Sequence, residues 1–170
     1  MKLLVVAVAL GACGSSSGSA DAPGTGGPCS VTLTGAATGS FPCVVPRTSW
    51  QASSNETNFT FDLTTGSPAV QVAIRFAGQP MVGQHHTTTD GASAGGIMVV
   101  DTSSSKMWDA SAGAGSNAGV GMFDLSLTAV TTSIVSATGT TYSVNGALTA
   151  TMPAVSGTGA TGSVMLTAAF

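Results

Sequence analysis

The segment AVQVAIRF, residues 69–76, alternates apolar and polar side chains with a period of two, setting Val70, Val72, Ile74 and Phe76 on one face of an extended strand. Gln71 and Arg75 fall on the other face, and no helix sorts these residues that way. The same period recurs through Phe59, Phe61 and Leu63, through Phe123, Leu125 and Leu127, through Tyr142, Val144 and Leu148, and through Val164, Leu166 and Phe170. Asp62 and Asp124 then point to the opposite, wet face. The Phe-Asp-Leu that two of these segments share is too short to establish a duplication. Residues 153–162, PAVSGTGATG, read as loop, and no window shows a helical apolar period with caps. The spacing, with Thr and Val enrichment, predicts an all-β fold: an antiparallel β-sandwich of about eight to ten short strands.

The N-terminus obeys a different rule. LLVVAVALGA, residues 3–12, is apolar but shorter than the roughly 20 residues that a helix needs to span a bilayer. Lys2 precedes it, and the small residues Gly11 and Ala12 close it, as in a cleaved secretory signal. Leu10-Gly11-Ala12-Cys13 resembles the lipobox of bacterial lipoproteins. The resemblance implies diacylglyceryl transfer to the Cys13 sulfur, cleavage before Cys13, and acylation of the new amino group. Several acyl chains give lasting membrane attachment where one binds only marginally. The family's retention signal at the inner membrane is an aspartate after the cysteine. Gly14 stands there instead, so the resemblance implies the outer membrane or cell surface.

Three regions follow: a signal at 1–12, lipidated Cys13 with a linker to residue 28, and a single domain at 29–170. The linker is Gly, Ser, Ala, Thr and Pro with one Asp. It offers nothing large to bury, so a flexible tether with a reach of about 20 Å is expected.

Export places the chain in an oxidising compartment, and with Cys13 lipidated the remaining thiols, Cys29 and Cys43, are even in number. CSVTLTGAATGSFPC reads as a hairpin that turns through GAATG and sets residue 31 opposite 41 and residue 29 opposite 43. A disulfide between Cys29 and Cys43 is expected. Pro42 lacks an N–H and fits only an edge strand or a non-hydrogen-bonded site.

Only 6% of the chain is charged and the net charge is −3, becoming −4 once Lys2 leaves with the signal. Arg47, Arg75 and Lys106 are the basic side chains left, too few for a nucleic-acid interface. The last residues, VMLTAAF, are similar to the closing strand of outer-membrane barrels. Such barrels carry aromatic girdles, however, and this chain is 5% aromatic.

Matches to enzyme motifs fail on context. GTGATG at 157–162 and GAGSNA at 113–118 lack the following helix that a dinucleotide site requires, and GSSSG at 14–18 lies in the tether rather than on a nucleophile elbow. His85 and His86 are the two histidines, with Asp90, Asp101 and Asp109 downstream. As strand neighbours they face opposite ways, so a joint metal or acid–base role is not expected, and the plain reading is a polar hairpin end. Trp50 and Trp108 are read as caps on the core or as exposed platforms for sugar rings. The lipobox resemblance implies a bacterial chain, in which the sequons at Asn55 and Asn58 are incidental. The expectation is a non-catalytic, envelope-anchored structural or interaction module without cofactor or metal. The alternative is a ligand- or glycan-binding module using Trp50, Trp108 or His85, and a hydrolase or metalloenzyme ranks third.

Overall fold

Each alternating segment becomes a strand with its apolar side chains turned inward. The computed structural model describes residues 29–43, 46–63, 67–112 and 121–170, which are all-β and antiparallel. The signal, Cys13, the tether, the Gly-rich match at 113–118 and the Asp62 side chain lie outside the described residues.

The strands are β1 (Ser30–Gly35), β2 (Gly39–Pro42), β3 (Arg47–Gln51), β4 (Glu56–Leu63), β5 (Ala69–Ala77), β6 (His85–Thr87), β7 (Ala92–Asp101), β8 (Lys106–Ala112), β9 (Met122–Val135), β10 (Gly139–Pro153) and β11 (Ser163–Ala169). That makes eleven among the described residues, against the eight to ten expected. The strands that alternation did not mark are β3, β6, β7 and β8. β6 has three residues, and β7 reads Ile-Met-Val-Val without a polar break.

The hydrogen-bonded order is β2-β1-β11-β10-β3-β4-β5-β7-β8, with β9 on the other flank of β10 and β6 beyond β9. β10 joins two halves of a sandwich. Its first residues, Gly139–Tyr142, pair with β3, and Ala147–Pro153 pair with β11. The β9 partner jumps from Ile134 to Thr132 at the end of the first stretch and from Ala129 to Leu127 between the two, leaving Ser133 and Thr128 as bulges. Bulges bend and twist a strand, which lets one strand turn from one sheet into the other. Gly146 sits at this turn because a Cβ there would lie 2.0 Å from the Ser126 carbonyl oxygen.

The predicted hairpin register holds, with Val31 opposite Phe41 and Ser30 opposite Pro42. Pro42 is accommodated because β2 is an edge strand. Cys29 and Cys43 form the disulfide, with Cα atoms 5.0 Å apart. At the other edge, β8 meets the end of β10 through a single bridge between Trp108 and Ala154 and a bond from Val155 N–H to the Met107 carbonyl. The sheet stops short of a closed barrel.

Between the halves lie Phe59, Phe76, Ile74, Leu125, Leu148 and Leu166, all buried. Every residue that the alternation placed inward is buried except Leu63, which is half-buried at the end of β4. The C-terminal Phe170 tilts against Phe59 with ring centroids 5.2 Å apart.

Candidate functional site

The two histidines separate as strand neighbours must. His85 is exposed beside Asp124, with Nδ1 3.6 Å from a carboxylate oxygen; at this exposure the contact adds little to stability. His86 is buried and stacks on Phe76 with ring centroids 3.7 Å apart. Its Nδ1 lies 3.1 Å from the Gly91 carbonyl oxygen, which fixes the proton on Nδ1 and leaves Nε2 as a buried acceptor without a protein donor among the described residues. The turn that brings Gly91 to the ring is held by Thr87, whose N–H donates to the Asp90 carbonyl while its hydroxyl accepts from the Asp90 N–H. Gly91 has φ +76°, and a Cβ there would stand 2.9 Å from Nδ1.

Burial holds the His86 imidazole below its ordinary pKa, outweighing the Gly91 hydrogen bond that acts the other way; His85 lowers it further and Asp90 raises it. A base whose folded pKa lies below its unfolded value gives the unfolded chain the greater proton uptake between the two. Stability is therefore full above the unfolded value, about 6.5, and declines as pH falls below it. Unfolding free energies measured from pH 7 to pH 5 should fall less for His86→Phe than for wild type, with a difference in slope of at most about 1.4 kcal/mol per pH unit.

Trp50, Trp108 and His85 do not share one surface. Trp50 stands in a row with Thr57 and Phe76, whereas Trp108 stands in a row with Val99 and Val70 at the opposite end of β5. Val70 and Phe76 are separated along the strand by roughly 20 Å. Trp108 is 2% exposed and its Nε1 donates to the Thr161 carbonyl, so no ring face is open for a sugar. Trp50 is half-buried and donates to Asn55 Oδ1 at 3.2 Å.

A concavity lies at the Trp108 end. A cleft of about 360 Å³ is lined by Thr38, Ser67, Asp101, Lys106, Trp108 and Thr161. Asp101 organises it: Oδ1 accepts from Ser67 Oγ at 2.9 Å and from the N–H and hydroxyl of Ser103 at 3.0 and 2.6 Å, while Oδ2 accepts from Ser104 Oγ at 2.5 Å. The hydroxyls of Ser103, Ser104 and Ser67 hold the Asp101 carboxyl well below the usual carboxylate range. A carboxylate so stabilised is a poor proton acceptor at neutral pH. The cleft offers hydroxyls, a fixed anion and the Lys106 ammonium, a lining suited to hydrogen-bonding a polar ligand.

Sequence reasoning missed this cleft. Its local signal was the Asp-Thr-Ser-Ser-Ser turn at 101–105, where an aspartate commonly bonds the backbone two residues on. Ser67 is 34 residues from Asp101 and carried no such signal. Among the described residues, no group of three His, Cys, Asp or Glu side chains is placed to hold a metal ion. No family model, curated protein or solved structure matches the chain.

Proposed function

We propose that this chain is a bacterial envelope lipoprotein, fastened by lipid on Cys13 to the outer membrane or cell surface, with a non-catalytic sandwich serving a structural or interaction role. The observation that carries the reading is Leu10-Gly11-Ala12-Cys13 at the end of a short apolar run behind Lys2. Two features support it. Cys29 and Cys43 are joined in a disulfide, in keeping with an oxidising compartment, which leaves Cys13 as the one cysteine outside that bond. His86 and Asp101 are also engaged within the fold, His86 in a stack and a turn and Asp101 in a knot of serines.

Metabolic labelling with a palmitate analogue should mark the wild-type protein in the membrane fraction and leave Cys13→Ser unlabelled. Equal labelling of the two would overturn the reading.

The hydroxyl-lined cleft favours a second reading, an envelope module that binds a neutral glycan or similar polar ligand beside Asp101 and Lys106. A glycan array with no retained ligand would remove it.

A further inference from the structure

β6 has three residues and pairs with β9 alone, so it covers a strand edge that would otherwise be open. Hydrogen bonds extend the pairing at both ends. Gly83 N–H donates to the Leu127 carbonyl, Leu127 N–H to the Gln84 carbonyl, and Thr88 N–H to the Phe123 carbonyl. Residues 83–88 thereby shield the backbone of β9 from Phe123 to Leu127. The cover is seated by one side chain: from Met81 to Asp90 every residue is exposed or half-buried except His86. Gly78 and Gly91, with φ +78° and +76°, bound the segment.

The seat of His86 suits a neutral ring. Its plane lies 16° from that of Phe76 on β5, Nδ1 meets the Gly91 carbonyl, and Nε2 has no hydrogen-bond partner among the described residues. A second proton would place a positive charge and a new N–H where no acceptor stands, a costly burial. The Phe76 face attracts a cation, but in so nearly parallel a stack the Nε2 proton lies in the plane of its own ring and cannot point at Phe76. The charged groups around the ring do not remove this cost. His85 on the same strand repels a protonated His86, and Asp90 in the turn favours one. Arg75 on β5, Glu56 on β4 and Asp124 on β9 alternate with buried residues and face outward, and the Tyr142 hydroxyl on β10 donates to Gln79 Oε1.

We propose that β6 and the turn through Gly91 form an acid-released strap: a second proton on His86 drives its ring off Phe76 and frees the edge of β9. Acid also strengthens the contact of His85 with Asp124, which acts against release, but both groups are exposed and the contact is weak. The strap belongs to the folded body and acts with or without lipid on Cys13.

Amide exchange of the full-length protein from pH 7 to pH 5, corrected for the intrinsic rate at each pH, tests this. In wild type the Gly83, Thr88 and Leu127 amides should lose protection several-fold, by up to about tenfold for each pH unit below about 6.5, the value of a released histidine. Amides between β4 and β5 should keep theirs. His86→Phe supplies a ring that stacks without titrating, so its three strap amides should be equally protected at pH 7 and pH 5. His85→Gln should respond to acid as wild type does, which keeps the test decisive should the phenylalanine variant fail to fold. Wild-type protection that does not change with pH, an equal acid loss in β4 and β5, an acid response that persists in His86→Phe, or one abolished by His85→Gln would each overturn the proposal.

Discussion

Replacing Phe59 with alanine should lower the unfolding free energy by about 3–5 kcal/mol, the range for removing a fully buried aromatic ring. Phe59 is 0% exposed, lies between Thr48 and Ile74 on the inner face of β4, and meets Phe61 edge-on with centroids 6.1 Å apart. It also meets Phe170 from the other half of the sandwich, so its loss opens a cavity where both sheets converge. A domain of this size is stable by about 5–15 kcal/mol, and such a loss is a large fraction of that. Urea titration should show the midpoint falling with an unchanged slope. Thr32→Ala, on the exposed face of β1, should stay within about 0.5 kcal/mol of wild type.

Removing the Cys29–Cys43 bond by double substitution with serine should cost about 3 kcal/mol, the chain-entropy value for a loop of this length. The effect should also be local. β2 has four residues, pairs with β1 alone, and is closed at its end by a bond from Cys43 N–H to the Cys29 carbonyl. Without the covalent link that edge is held by a few hydrogen bonds. Amide exchange should therefore lose protection in β2 first, while β4 and β5, paired with each other over eight residues, keep theirs. Uniform loss across all strands would contradict this account of the edge.

Strand faces were legible in the sequence because alternation encodes burial directly: Val70 to Phe76 and Val164 to Phe170 are buried as their spacing demands. The hairpin from Cys29 to Cys43 was legible down to its register, since a short turn joins two strands that are adjacent in sequence. Strand neighbours distant in sequence were not. Nothing in β10 announces that its two ends pair with β3 and β11, a division made by bulges at residues that look like any other Thr or Ser. The site shows the same limit. That His85 and His86 face opposite ways follows from strand geometry, but the stack of His86 on Phe76 joins segments whose contact no local pattern reveals. Trp50 and Trp108 look alike in sequence, and only the order of strands places one in a row with Thr140 and the other in the wall of the cleft.

The proposed attachment is tested most directly by the mass of the mature N-terminal peptide purified from native membranes. The account predicts a peptide beginning at Cys13 that carries a thioether-linked diacylglyceryl group and an acylated amino terminus. A peptide that begins at Met1 or at any other residue, or one with an unmodified Cys13 sulfur, would contradict it.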